Sequence, residues 1–241
     1  MARAGRVVAD TLALIGENVR PGVTTAELDA IAEEFITSQG GYPTFKGYRG
    51  YPAAICTSPN EMVVHGIPGP YELAEGDVLS VDVGVTLDGF VADSAYTFPI
   101  GDISAEAERL LEVCQAALAA GVEQCRAGGR LSDISHAVQQ VTESAGFSVV
   151  RSLVGHGVGR SMHEDPQIPN YGAPGRGPGL AEGMTFAIEP MINAGGPEIY
   201  LHDDEWSISS ADGSLSAHFE HTVAVTASGP RILTAAPVLL R

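Results

Sequence analysis

Asp82 and Asp93 are the first residues of this chain whose spacing suggests chemistry. They lie in DVLSVDVGVTLDGFVADSAYTF, residues 77–98, where two apolar stretches are joined by Asp88-Gly89. That dipeptide tolerates the positive φ angles of a two-residue hairpin. The segment is therefore predicted to fold back with Leu87 facing Phe90, Gly84 opposite Asp93 and Asp82 opposite Ala95. Side chains alternate between the two faces of a strand, which puts Asp82, Gly84, Asp93 and Ala95 on one face. The carboxylates become diagonal neighbours, roughly 7–8 Å apart at the backbone and within reach of a shared ion. Gly84 and Ala95 leave the space between them open. Two acids on an inward face need a partner charge; the plainer alternative is a solvated face with two ordinary aspartates.

Three more residues of ligand type sit in similar settings: His156 in GHGVG, Glu189 in TFAIEP and Glu220 in AHFEHTV. An internal repeat links two of the acids. Leu73-Ala74-Glu75-Gly76 recurs 107 residues later as Leu180-Ala181-Glu182-Gly183, and at that offset VLSVD aligns with TFAIE, so Asp82 falls on Glu189. Upstream, at an offset of 106, Leu12, Glu17, Arg20, Gly22 and Leu28 match Leu118, Glu123, Arg126, Gly128 and Ile134. The repeat predicts two helix–helix–strand–strand units joined around a pseudo-twofold axis. Four carboxylates gathered without cations would repel one another and resist desolvation; two divalent ions would cancel them. An oxygen-rich set with one imidazole suits Mn, Fe, Co or Zn rather than a thiolate site. Singly, His156 could be a core histidine and Glu220 an edge-strand acid.

The elements that must position these residues follow from periodicity and breakers. Residues 2–19 predict an amphipathic helix. Thr24 and Glu27 form a capping-box pattern opening a second helix, which carries Leu28, Ile31 and Phe35 inward and stops at Gly40-Gly41. A glycine-rich aromatic loop, FKGYRGYP, precedes residues 53–57 and VVHGIP. Further helices are predicted over about Ser104–Cys125 and Ser132–Gly146, the last ended by its glycine. Strands and loops make up the remainder.

Composition narrows the classes. At 241 residues the chain can fill one large domain with a sizeable core. A net charge of −17 argues against a broad nucleic-acid or anionic-membrane surface. No apolar run approaches the roughly 18 residues of a membrane span, and Asp10 and Glu17 interrupt anything like a signal peptide. Cys56, Cys114 and Cys125 are odd in number and lack CxxC spacing, which predicts a reduced, cytoplasmic protein without disulfides. GHGVGR lacks the GxxxxGK[ST] pattern of a phosphate loop. His136, His202 and His221 are expected to be structural or exposed, and His202-Asp203-Asp204-Glu205 a solvated loop.

Taken together, NEMVVHGIP, VDVGVTLDGFVADSAYTF, GHGVGRSMHEDPQIPNY, FAIEPM and SLSAHFEHTVAVT resemble the type I methionine aminopeptidases, of the pita-bread metallopeptidase group, over essentially the whole chain. The resemblance implies an α+β pita-bread fold, with one catalytic metallopeptidase domain spanning residues 1–241. It implies two divalent ions (Co, Mn, Fe or Zn): Asp82 would bind one with both oxygens, Asp93 and Glu220 would bridge, and His156 and Glu189 would complete the other. Glu189 would also be the general base, with His65 and His163 contacting substrate. Tyr48, Tyr51, Cys56, Met162 and Trp206, joined by Phe45 and His218, would surround the first residue. The implied activity is removal of the N-terminal methionine from newly made proteins when the second residue is small. The expected state is a monomer, without DNA or membrane partners, and the ribosome exit region is a candidate docking surface.

Some positions depart from the family pattern. Phe45 and Met162 stand where cysteine and phenylalanine are frequent, and His218 stands where glutamine is usual, leaving an extra metal contact from it open. The chain is expected to start inside the family's first helix. The competing readings are an Xaa-Pro aminopeptidase or prolidase, which shares the ligand set but usually has an extra N-terminal domain, and a catalytically silent module that binds peptides.

Overall fold

The computed structural model describes residues 1–235; positions 236–241, the end of the expected 1–241 domain, lie outside them. Among the described residues four α-helices form in two pairs. Helix α1 (Ala2–Asn18) buries Ala4, Val7, Val8, Leu12 and Ile15, the stripe that its sequence periodicity predicts. Helix α2 (Thr25–Ser38) opens on the expected capping box: the Glu27 N–H donates to Thr24 Oγ1 at 3.2 Å and the Thr24 N–H to Glu27 Oε2 at 2.8 Å. Helix α3 (Ala105–Gln124) is capped by Ser104, whose Oγ accepts from the Ala107 N–H at 3.1 Å. Helix α4 (Leu131–Ser144) is followed by Gly146 at φ +86°, the left-handed stop its glycine predicts.

The central hairpin is the predicted one. Strands Val78–Leu87 and Phe90–Pro99 pair with Leu87 facing Phe90, Gly84 facing Asp93 and Asp82 facing Ala95. Asp88 and Gly89 both take positive φ, 51° and 73°, as a two-residue turn of the right twist demands. Strand Cys56–Pro59 lies on the other side of Val78–Leu87, with Cys56 opposite Asp82. A five-stranded antiparallel sheet runs in the order Gly229–Ile232, His221–Thr226, Thr185–Ile188, Val154–Gly157, Glu164–Pro169. Strand Tyr42–Pro43 also pairs with Val78–Leu87, and two three-stranded sheets complete the strands of the described residues. One joins Ser216–His218 to Met191–Asn193 and Ser148–Val149; the other joins Ile199–Leu201 to Ile208–Ser210 and Met62–Val64.

The halves have separate apolar cores. One combines α1 and α2 with the central hairpin through Val8, Leu12, Leu28, Ile36, Val81 and Val83. The other combines α3 and α4 with the five-stranded sheet through Leu110, Cys114, Ile134, Phe186, Ile188 and Val223. Tyr96 packs against both, its ring 4.9 Å from that of Phe219.

Where the halves meet, threonine hydroxyls replace part of a strand ladder. Thr222 Oγ1 accepts from the Asp93 N–H at 3.0 Å and donates to the Asp93 carbonyl at 2.8 Å. Thr97 Oγ1 does the same for His218, accepting at 3.0 Å and donating at 2.9 Å. Between them the Glu220 N–H donates to the Ala95 carbonyl at 3.0 Å. The two threonine clamps are images of each other about the pseudo-twofold, which exchanges Asp93 with His218, Ala95 with Glu220 and Thr97 with Thr222. The axis therefore passes through the pair Ala95–Glu220.

Each clamp satisfies two buried backbone groups, so removing the hydroxyl orphans a donor. Thr222→Val and Thr97→Val are each expected to lower unfolding free energy by about 1–3 kcal/mol, read from urea denaturation of metal-free protein with an unchanged slope. Losses below about 0.5 kcal/mol in both, the ordinary surface range, would show that the clamps do not hold the halves.

Candidate metal centre and active site

The metal-type residues reach the centre from both halves. Asp82 and Asp93 come from the central hairpin, His156 and Glu189 from the five-stranded sheet or its end, and Glu220 from the segment on the axis. Asp93, His156 and Glu220 are buried, each offering one donor atom within 4.8 Å of the others. Asp82 and Glu189 keep an edge open to the cavity in front. Glycines frame His156 for a reason of space: a Cβ on Gly155 would come within 2.5 Å of the Ala187 carbonyl oxygen, and one on Gly157 within 2.3 Å of that of Asp165. Neighbouring backbones press on the strand from both sides. Gly84 corrects the sequence reading, because the space above it is not open: a Cβ there would meet the Phe45 ring at 2.8 Å.

His156 has its tautomer fixed. Its Nδ1 lies 2.9 Å from the Gly157 carbonyl oxygen, which can only accept, so Nδ1 carries the proton. In the neutral ring Nε2 then presents a lone pair, 3.5 Å from Asp93 Oδ2 and 3.5 Å from Glu189 Oε1. A lone pair facing two carboxylates has nothing to share unless a cation lies among them.

The acids carry the same signature. Desolvation, followed by the Asp93 charge, pushes the Asp82, Glu189 and Glu220 carboxyls well above the usual range. Asp93 is raised too, again by burial. Asp82 Oδ1 and Glu220 Oε1 are buried without a hydrogen-bond partner. Orphaned carboxylate oxygens, a metal-ready imidazole and raised carboxyls together fit a divalent cation.

The cavity in front holds about 170 Å³ and is lined by Phe45, Tyr48, Arg49, Tyr51, Cys56, His65, Met162, His163 and Trp206 together with the acids. The sequence-predicted pocket residues thus converge, with one exception. His218 is not on the wall; it is buried behind Glu189, its Nε2 3.7 Å from Glu189 Oε2. His65 holds φ +61°, a left-handed conformation rare outside glycine and asparagine. Burial lowers its pKa. His163 is pushed down to about 4, by desolvation first and then by His156, Arg49 and His65, so it is neutral at neutral pH. The Tyr48 hydroxyl lies 2.9 Å from His163 Nδ1, with the rings stacked at 5.5 Å. Burial pushes the Tyr51 hydroxyl and the Cys56 thiol up, and at Cys56 the Asp82 charge adds to it.

Sequence reasoning missed the supports: Arg49 on the wall, Asn170 donating to the Glu189 carbonyl at 2.9 Å, and the Thr97 and Thr222 clamps. Hydroxyls and amides scattered on strands carry no spacing signal. A larger cleft of about 520 Å³ lies between α1 and α3. It is walled mainly by apolar side chains such as Leu12, Leu118, Val122 and Ile232, and lacks a converging donor set. His221 at its floor bonds Thr234 at 3.0 Å, a structural role, and His136 and His202 bond Gly172 and Ser209. Asp204 organises its loop by accepting from Trp206, Ser207 N–H and Ser207 Oγ.

Residues 1–227 match metallopeptidase family M24. The chain belongs to that family. It is 53% identical to the methionine aminopeptidase of Clostridium perfringens over 234 residues, covering 97% of this chain and 94% of the relative. Methionine aminopeptidase 1 of Bacillus subtilis is 51% identical, with 97% and 94% covered. The crystal structure of methionine aminopeptidase from Rickettsia prowazekii superposes with a TM-score of 0.96 at 44% identity, covering 97% of this chain and 95% of that one. The α+β pita-bread architecture and the metallopeptidase assignment are therefore those of this chain. Among the described residues no helix is long and apolar enough to cross a membrane.

The raised carboxyls fix the sign of one pH effect. Each binds its proton more tightly folded than unfolded, where such acids titrate near about 4. The stability they give is fully present below that and is lost as pH rises through the raised folded values. Metal-free protein is expected to melt at progressively lower temperature as pH rises from 5 to 8. Mn²⁺ or Co²⁺ should raise the melting temperature more at pH 8 than at pH 5. A metal-free melting temperature that climbs over this range and ignores both ions would contradict the assignment.

Proposed function

We propose that this protein is a methionine aminopeptidase: residues 1–241 work as one catalytic domain that removes the N-terminal methionine of newly made chains when the second residue is small. The observation that carries the reading is the convergence of Asp82, Asp93, His156, Glu189 and Glu220 at the end of a cavity of methionine size, in a chain about half identical to methionine aminopeptidases along nearly its whole length. Asp82, Asp93 and Glu220 would hold one divalent ion and Asp93, Glu220, His156 and Glu189 the second, with Mn, Fe, Co or Zn as the metals this donor set suits. The ions, when bound, supply an activated water and polarise the first peptide carbonyl.

The chain's own residues do the rest. Glu189 accepts the proton released as the bond is attacked. Tyr48 donates its hydroxyl proton to His163 Nδ1, which leaves Nε2–H as the donor to the substrate carbonyl oxygen as negative charge develops. His65, kept neutral by burial, contacts the amide nitrogen of the scissile bond. Phe45, Tyr48, Tyr51, Cys56, Met162 and Trp206 surround the first side chain. Aromatic faces and soft sulfur suit an unbranched thioether, which bends into irregular space and gains sulfur–aromatic contact. The enzyme acts as a cytoplasmic monomer on chains leaving the ribosome; its charge of −17 disfavours ribosomal RNA as the docking surface.

A peptide panel on metal-free protein reconstituted with each ion tests this. Met-Ala, Met-Gly and Met-Ser peptides should be cleaved, with Met-Leu, Met-Glu and Lys-Ala slower by at least tenfold, a discrimination of about 1.4 kcal/mol. Preferential cleavage of Xaa-Pro bonds whatever the first residue would move the protein to the prolidase branch. No cleavage with any ion would leave a peptide-binding module.

A further inference from the structure

His218 is a buried imidazole that the mechanism above does not use. It is 2% exposed, and its Nε2 has no hydrogen-bond partner. The nearest charged atom is Glu189 Oε2, at 3.7 Å. The backbone that carries the ring is fixed, because Thr97 Oγ1 engages both the N–H and the carbonyl of His218 and the residue pairs with Met191 in a strand ladder. Met191 follows Glu189-Pro190 directly, so the imidazole and the carboxylate are presented by adjacent segments.

The pseudo-twofold gives this pairing a counterpart. The axis that exchanges the two threonine clamps carries Asp93 onto His218, and the internal repeat carries Asp82 onto Glu189. The diagonal pair Asp82–Asp93 of one half therefore corresponds to Glu189–His218 of the other. In the first half both members are acids. In the second, the position equivalent to Asp93 holds a group that can donate.

The two oxygens of Glu189 face different imidazoles. Oε1 faces His156 Nε2, which bears a lone pair because Nδ1 donates to the Gly157 carbonyl. Oε2 faces His218 Nε2. Nothing else among the described residues satisfies that nitrogen, and an N–H on it would point at a carboxylate oxygen. The gap exceeds a hydrogen bond by well under an ångström.

Building on the proposed dinuclear site, we infer that His218 is a positioning residue: its Nε2–H donates to Glu189 Oε2 and thereby commits Oε1 to the metal side. A carboxylate with one oxygen tied keeps a single orientation toward the ions and the attacking water, and loses less freedom when they bind. Because His218 acts through Glu189 rather than on the substrate, its removal affects metal affinity and turnover more than methionine binding.

The test compares wild type with H218M, which fills the space without a donor, and H218Q, whose amide N–H can reach the same oxygen. Isothermal titration of metal-free protein with Mn²⁺ gives affinity, kinetics on a Met-Ala peptide separate kcat from KM, and Co²⁺ absorption at saturation reports the ligand set. H218M should bind Mn²⁺ about 10–100-fold more weakly, with reduced kcat and KM within about twofold, while H218Q recovers most of both. The Co²⁺ spectra of all three should match, because His218 is not a ligand. H218M with wild-type affinity and kcat overturns the inference. A Co²⁺ spectrum altered in both variants overturns it in favour of direct ligation. H218Q as impaired as H218M shows that ring packing rather than donation matters and also overturns it. Wild type that binds no Mn²⁺ would instead sink the dinuclear reading itself. If H218M does not fold, H218L against H218Q provides the same comparison.

Discussion

Uncompensated negative charge is the constraint on which the rest of this structure depends. Asp82, Asp93, Glu189 and Glu220 converge inside the protein, and among the described residues the only cationic-type side chains within 4 Å of them are His156 and His218. No lysine or arginine relieves them. Burial and mutual repulsion drive their carboxyls upward, a state that only protons or metal ions can neutralise. A fold that merely needed stability would place apolar side chains here. The acids are retained against that pressure, and two packed cores, one on each side, carry the cost.

Geometry at the centre is set by how the two halves are joined. A continuous ladder between them would have bonded the backbone of Asp93 to a strand neighbour and left no freedom in the spacing of the ligands. Threonine hydroxyls, inserted at Thr97 and Thr222, hold the strands at side-chain distance while satisfying the backbone of His218 and Asp93. That spacing brings the Asp93 carboxyl close enough to Glu220 to share a proton or an ion. The cavity wall comes from outside this symmetric frame: the FKGYRGYP loop contributes Tyr48 and Tyr51, and the connection before Glu220 contributes Trp206, whose ring meets Tyr51 at 5.1 Å. Ligands thus sit on paired strands, and specificity sits on loops.

Much of this was legible in the sequence because a few residues over-determine their surroundings. Asp88-Gly89 admits one kind of turn, and the turn fixes the register that puts Asp82 and Asp93 on one face. The repeated LAEG segment links Asp82 to Glu189, since both copies lead into a strand that carries the acid, Val78–Leu87 in the first half and Thr185–Ile188, which ends one residue before Glu189, in the second. The second symmetry relation was not legible. Asp82 and Glu189 are 107 residues apart, whereas Asp93 and His218 are 125 apart, because the connection between the strands of the second half carries an 18-residue excess. That excess houses strands Ile199–Leu201 and Ile208–Ser210 and hides the correspondence from any fixed offset. The clamps were invisible for a different reason: threonine is an ordinary strand residue, and only its partner across the axis gives it meaning. His218 was placed on the pocket wall by resemblance alone, while its depth behind Glu189 follows from pairing with Met191.

The central claim is that the buried acids and His156 are a two-ion site. Anomalous diffraction from crystals of Mn²⁺-loaded protein, recorded on both sides of the manganese edge, tests it most directly. The account predicts two peaks about 3.5–4 Å apart, one touched by Asp82, Asp93 and Glu220, the other by Asp93, Glu220, His156 and Glu189. Manganese-saturated crystals with no peak among these side chains, or with peaks only at surface acids, would contradict it.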